Sequence, residues 1–143
     1  MKNKYRELQD RIIKKDMAIR GTNPSPVIEV ELPLPPEGLF ANTRIRNRFG
    51  VARLVKKARG DASTIARIYA PKVPYEKVAI RAEFFMPRKR DGDNLNAWLK
   101  HYIDGLQDAG IVKNDSGVVL LPPIQTTGNE AGRKVVLRIQ QIV

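Results

Sequence analysis

The chain has 143 residues, 42% of them hydrophobic, which suits one compact domain with a real core and is too short for two. It has no cysteine, which excludes disulfides and cysteine-ligated zinc. No apolar run approaches the roughly 18 residues of a membrane span, so we expect a cytoplasmic protein with no membrane partner. Lysine and arginine outnumber aspartate and glutamate by 26 to 15, so the net charge is +11 and nucleic acid is the expected partner.

The first segment, residues 1–26, is predicted to be a basic helix followed by a linker. Leu8, Ile12 and Ile13 form a narrow apolar stripe among lysines and arginines, and the segment ends in Gly-Thr-Asn-Pro-Ser-Pro. It would be appended to a main domain of residues 27–143, docking on that domain, on a dimer partner or on DNA. A partly frayed, solvated helix is the alternative that the pattern leaves open.

The main domain begins with a predicted strand and a long basic helix. Val and Glu alternate in residues 27–34 until a run of prolines ends the strand at Pro33. Residues 43–69 have the apolar spacing of a helix, with room for a break near Gly60. The front half of this helix carries no acidic residue, and its basic face is either a track for DNA phosphates or an ordinary solvated surface. The first three arginines of this face are Arg44, Arg46 and Arg48.

A second strand and a second helix enclose the most informative stretch of the chain. Apolar residues alternate over residues 77–86, which predicts a strand. From Leu95 to Ala109 they recur at spacings of three and four, which predicts a helix with a glycine placed to end it. Either Asp93 or Asn94 can cap the start of this helix.

Two carboxylates lie on the turn between these elements. Asp91 and Asp93 are separated by Gly92, which allows a tight turn, so both can face one point, and Asp115 is delivered by the loop after the helix. Carboxylates without His or Cys are the ligand set of Mg²⁺. The alternative is a plain turn with a helix cap. Three adjacent basic residues would offset the carboxylate charge and attract a DNA backbone. They are Arg88, Lys89 and Arg90.

The end of the chain completes the predicted fold. Apolar runs over residues 117–126 and 133–143 flank Thr-Gly-Asn-Glu-Ala-Gly, a hairpin signature, and Pro122 and Pro123 predict an edge position or a bulge in the first run. The fold class is therefore α/β (α+β): one domain with a mixed sheet of about four strands packed with helices, plus the N-terminal helix. The only histidine, His101, is expected to be a half-buried packing residue rather than a general base.

The stretch from Arg88 to Val119 resembles the RusA-like Holliday junction resolvases. The shared pattern is Arg-Asp-Gly-Asp-Asn-Leu, then a lysine four residues before Asp-Gly-Leu, then Ala-Gly-Ile-Val-Lys-Asn-Asp. A looser resemblance covers Val27 to Pro36, which is similar to the family's first strand and its proline-rich exit. The resemblance implies three metal-binding aspartates, a DNA-contacting asparagine and a catalytic lysine. In this chain the aspartates are Asp91, Asp93 and Asp115, the asparagine is Asn94, and the lysine is Lys100.

The chain departs from the family pattern at two places. It holds three more residues between Asp93 and Asp104, so Lys100 is matched by its spacing to Asp104. Three helical residues move a side chain by roughly 4.5 Å along the axis and about 60° around it, which bears on the role of Lys100. Asn114 stands where the family more often has a second aspartate.

The resemblance implies a homodimer that nicks two strands of a four-way DNA junction symmetrically, with Mg²⁺ as cofactor and Mn²⁺ as a substitute. Three alternatives stay open: a magnesium nuclease for other branched DNA, a junction-binding protein with weak or no catalysis, and a basic DNA-coating protein. For a coating protein the clustered aspartates would be gratuitous, because carboxylates repel the phosphate backbone.

Overall fold

The computed structural model describes residues 26–40 and 48–142, and of Arg48, Phe49, Gly92 and Asp93 it describes only the backbone. The predicted helix and linker in residues 1–25 lie outside this part of the chain, as do Arg44 and Arg46.

The described residues form one mixed sheet with helices packed on it. Strand β5 lies between β1 and β2 and is antiparallel to both, while β3 and β4 pair in parallel with successive halves of β2 along its other edge. The predicted α/β class, with a mixed sheet of about four strands, is confirmed, since β3 and β4 share one of four strand positions. The strands are β1 (Ile28–Pro33), β2 (Val78–Met86), β3 (Val118–Leu120), β4 (Ile124–Thr127) and β5 (Lys134–Gln141).

The predicted hairpin between the last two apolar runs is wrong. Strand β2 lies between β4 and β5, so each run finds its hydrogen-bonding partner in β2 instead of in the other run. The physical reason is that β2 is largely buried on both faces, and a strand in that position must satisfy backbone groups on both edges. The edge position predicted for Pro122 and Pro123 is confirmed, because these prolines separate β3 from β4 on the outer edge of β2.

The helices differ from the sequence prediction mainly in where they are interrupted. Helix α1 (Arg48–Ala66) continues through Gly60 without a break, while the second predicted helix is divided into α2 (Gly92–Trp98) and α3 (Lys100–Asp108). At the division, the amide of Leu99 donates to the carbonyl of Asn96 at 3.1 Å, which tightens the last turn of α2. No helix in the described residues is both long enough and apolar enough to cross a membrane.

The start of α2 corrects the predicted cap. The helix begins at Gly92, so Asp93 lies in its first turn and neither Asp93 nor Asn94 precedes the helix. The amide of Asn94 donates to the carbonyl of Asp91 at 3.2 Å, which makes Asp91 the residue at the entrance. At the other end α3 stops before Gly110, whose φ of 86° is left-handed, as predicted.

The helices cover one face of the sheet. Trp98 of α2 stacks on Phe84 of β2 with ring centroids 6.1 Å apart. Its indole N–H donates to the carbonyl of Pro36 at 2.9 Å, and the hydroxyl of Tyr102 donates to the carbonyl of Pro33 at 2.6 Å. Burial raises the pKa of Tyr102 above its ordinary value, so the hydroxyl stays a donor. The two bonds tie the helix pair to the end of β1 and to the proline-rich segment that follows it, and they satisfy buried polar atoms.

The opposite face carries a polar ladder across the strands. Arg138 of β5 donates from Nε to Glu29 of β1 and from Nη1 to Glu83 of β2, both at 3.0 Å. Thr126 of β4 donates its hydroxyl to Glu83 at 2.7 Å. This ladder links four strands in the order that the backbone pairing gives.

Helices α1 and α3 approach closely at Gly105. A Cβ atom added there would lie 2.5 Å from the carbonyl oxygen of Arg59 and 2.6 Å from the Cβ of Ala62, whereas one added at Gly60 of α1 would meet nothing within 4 Å. Gly105 is therefore required for helix packing, and Gly60 is not.

We expect the two glycines to respond oppositely to substitution by alanine. Gly105→Ala should lower the free energy of unfolding by about 1–3 kcal/mol through overpacking. Gly60→Ala should raise it by about 0.5–1 kcal/mol, because alanine restricts the unfolded chain and favours helix. Urea unfolding of both variants measures this, and equal effects of the two would contradict the packing of α1 on α3.

Candidate active site

The backbone that leads into the aspartate pair is anchored at Arg90. The side-chain amide of Gln125, on β4, accepts a hydrogen bond from the amide of Arg90 and donates one to its carbonyl, both at 2.8 Å. Strand β2 ends at Met86, so within the described part of the chain Arg90 has no backbone hydrogen bonds from a neighbouring strand. The two bonds from Gln125 take their place. Sequence reasoning missed Gln125, because nothing local marks a side chain that bonds to a backbone 35 residues away.

The side chain of Arg90 is held within the protein. Its guanidinium pairs with the carboxylate of Glu37 and lies 4.7 Å from the ring centre of Phe40 and 5.1 Å from that of Trp98. A planar cation suits both contacts, since it can form the ion pair and face the rings together. The predicted DNA contact by Arg90 is untested, but these partners give it a second, structural role that the basic triplet did not reveal.

Asp91 and Asn94 lie at the entrance of α2. Asp91 is exposed, and one of its carboxylate oxygens lies 3.4 Å from the side-chain amide nitrogen of Asn94. Asp93 follows in the first turn of the helix, and its carboxylate lies outside the described atoms. Arg88 and Lys89 are exposed just before this turn, where they remain accessible to a phosphate backbone.

A cavity of about 300 Å³ lies farther along the helices. It brings together Lys100 and Asp115, two of the predicted site residues, and adds Asp104, which sequence reasoning used only as a spacing marker. The spacing of Asn96, Lys100 and Asp104, four residues apart each time, was the signal that these side chains share one helical face. The lining residues are Asn96, Ala97, Lys100, Ile103, Asp104, Asp115, Val118 and Leu120.

Asn96 is fixed on the wall of the cavity. Its side-chain amide donates to the carbonyl of Leu121 at 3.2 Å, and its buried Oδ1 accepts no hydrogen bond from the described part of the protein. By backbone position Asp93 lies three residues before Asn96, one turn nearer the start of the helix. The wall of the cavity therefore leads towards the aspartate pair.

Asp104, which lines the cavity, lies near His101 of α3 and near Arg59 of α1. The Nδ1 of half-buried His101 lies 3.8 Å from the carboxylate of Asp104, as suits the packing role predicted for that histidine. Arg59 of α1 forms a bidentate pair with Asp108, which lowers the pKa of Asp108 and raises that of Arg59, and Asp104 adds a smaller effect on Arg59. Acidic residues of α3 thus face a cation from α1.

The structure places the predicted site residues in two groups. Asp115 precedes β3 beside the start of β2, whereas Arg90 is bonded to β4 beside the end of β2, and Asp91 does not line the cavity that holds Asp115. Among the described side chains, to which that of Asp93 does not belong, no group of three or more His, Cys, Asp or Glu could hold a metal ion. Of the predicted arginine track, Arg48 begins α1, and its side chain is outside the described atoms.

No protein-family model and no curated protein matches this chain.

We expect Arg90→Lys to lower the free energy of unfolding by about 1–2 kcal/mol, because a lysine cannot pair with Glu37 and face the two rings together. Urea unfolding measures this change. Arg133→Lys, at an exposed position, is the control and should stay within about 0.5 kcal/mol of wild type. An equal response of the two variants would show that the contacts of Arg90 contribute nothing to stability.

Proposed function

We propose that the protein is a magnesium-dependent endonuclease that resolves four-way DNA junctions by paired, symmetric phosphodiester hydrolysis. The observation that supports this most is that Lys100, the first residue of α3, and Asp115, which follows α3, line one cavity, while Asp91 and Asp93 lie at the start of α2. A cation beside a carboxylate, one helix away from two further carboxylates, is an arrangement that suits phosphoryl chemistry. The resemblance to RusA-like resolvases names the same residues.

The donor set fits magnesium. The three aspartates supply hard oxygen ligands, the chain has no cysteine, and Asp91 and Asp115 are both exposed to solvent. Asp91, Asp93 and Asp115 would hold the ion, with Mn²⁺ as a substitute. Bound magnesium would neutralise charge on the scissile phosphate and lower the pKa of the attacking water.

The protein's own side chains would position the DNA. Lys100 would stabilise charge that develops on the phosphate or on the leaving oxygen. Arg88 and Lys89 are exposed beside Asp91 and would contact the backbone, with Asn94 at the helix entrance. A net charge of +11 would attract the junction, and a homodimer would place one site on each of two strands.

A junction-binding protein with weak or no catalysis is the second candidate. Two observations favour it: the helix is interrupted at Leu99, between Asp93 and Lys100, and Asp91 does not line the cavity of Asp115. Such a protein would keep the affinity for branched DNA that its charge supplies, without assembling the carboxylates for hydrolysis.

Cleavage of a labelled four-way junction and a matched linear duplex, with and without magnesium, separates these functions. We expect symmetric cuts in the junction only, and only with magnesium. Tight junction binding without cleavage would support the second candidate. Equal cutting of the duplex would contradict the predicted selectivity for branched DNA.

Asp93→Asn, Asp115→Asn and Lys100→Met should each lower the rate of junction cleavage by a factor on the order of 100 or more, since each removes a charge required only for the chemical step. Junction affinity, measured by gel shift, should be kept. Glu130→Gln, which also replaces a carboxylate by an amide, and Lys72→Met lie at exposed positions outside the cavity lining and should cleave like wild type. Full cleavage by Asp93→Asn would contradict a metal site that includes Asp93.

A further inference from the structure

We propose that Gln125 is a positioning residue that fixes the backbone before Asp91 so that its carboxylate can bind a metal ion. This inference rests on the proposed function and names a residue that neither the motif nor the resemblance includes.

The side-chain amide of Gln125 connects β4 to the backbone of Arg90. Gln125 is itself paired with Phe84 through the backbone of β4, so its main chain is held by the sheet. From there its side chain satisfies both the N–H and the C=O of Arg90 at 2.8 Å, as a neighbouring strand would. The rigidity of the sheet is thereby extended to the residue immediately before Asp91.

The side chain of Arg90 is held independently of Gln125. Its guanidinium is bound by Glu37 and faces Phe40 and Trp98, all from elements other than β4. The residue before Asp91 is therefore held through its backbone from one element and through its side chain from others. Such support from a rigid scaffold is what a metal ligand needs if its carboxylate is to be in place before the ion arrives.

Glutamine has the chemistry that this role requires. Its amide ends in one acceptor and two donor hydrogens, so it can receive the N–H of Arg90 and donate to its carbonyl at once. An ionised glutamate of the same shape only accepts, so it would keep one bond and set a carboxylate against the carbonyl. Leucine would supply neither bond and would leave two half-buried backbone groups unsatisfied.

The test is Mn²⁺ binding by the full chain without DNA, measured from the EPR signal of free Mn²⁺, for wild type, Gln125→Leu, Gln125→Glu and Asp91→Asn. Loss of positioning should raise the dissociation constant roughly tenfold in Gln125→Leu and by less in Gln125→Glu. Gln107→Leu, a half-buried glutamine on α3 outside the cavity lining, is the control and should bind like wild type. Gln125→Glu preserves the size of the side chain, so it keeps the test valid if Gln125→Leu does not fold.

Cleavage assays supply a second readout that a merely structural role would not change in this way. The Gln125 variants should need more magnesium and should recover towards the wild-type rate when magnesium is saturating, whereas Asp91→Asn should not recover. Unchanged Mn²⁺ affinity in Gln125→Glu, with affinity lost in Asp91→Asn, would overturn the positioning role alone. Failure of wild type to bind Mn²⁺ would overturn the proposed function and this role with it.

Discussion

The central position of β2 is the constraint on which the rest of the structure depends. Its edges are hydrogen-bonded to β5 on one side and to β3 and β4 on the other, and its side chains are largely buried on both faces. A strand so enclosed has little freedom of register, because a shift by one residue would exchange its two faces. Both parts of the candidate site inherit this rigidity, since Asp115 enters beside the start of β2 and Asp91 follows its end.

The basic residues of this chain serve two different purposes. Arg59, Arg90 and Arg138 have carboxylate partners within the protein and link separate elements. Arg88 and Lys89 are exposed next to the aspartates. Net charge describes the attraction to a polyanion, whereas the pairing of individual guanidinium groups decides which side chains are available to contact one.

The local pattern of apolar residues was sufficient to predict those helices and strands that are defined by their own sequence. Alternation predicted β1 and β2, and apolar spacing predicted α1 and a single helix where the structure has α2 and α3. The partner of a strand is a non-local choice, so the apolar runs around Thr-Gly-Asn-Glu-Ala-Gly were paired with each other when both in fact pair with β2. The division of the helix at Leu99 was not predicted, because no glycine or proline lies near it in the sequence.

The residues proposed for the candidate site were chosen for their chemistry and for the resemblance, whereas their relative positions depend on the fold. The resemblance implied that Lys100 and Asp115 belong to one site, and both line the cavity. Asp104 joins them because it lies one helical turn after Lys100 on the same face of α3. Arg90 was assigned to DNA because a basic triplet looks the same whether its members are solvated, bound to phosphate or paired internally. Gln125 could not be found in advance, since its role exists only once β4 lies beside β2.

The central claim is that the turn between β2 and α2 forms a metal site, and the most direct test is anomalous scattering from a crystal of the protein soaked in Mn²⁺. We expect a peak at the carboxylates of Asp91, Asp93 and Asp115, with Arg90 still bonded to Gln125. Ordered aspartates without a peak there, or a peak confined to Asp104 and Asp115, would contradict it.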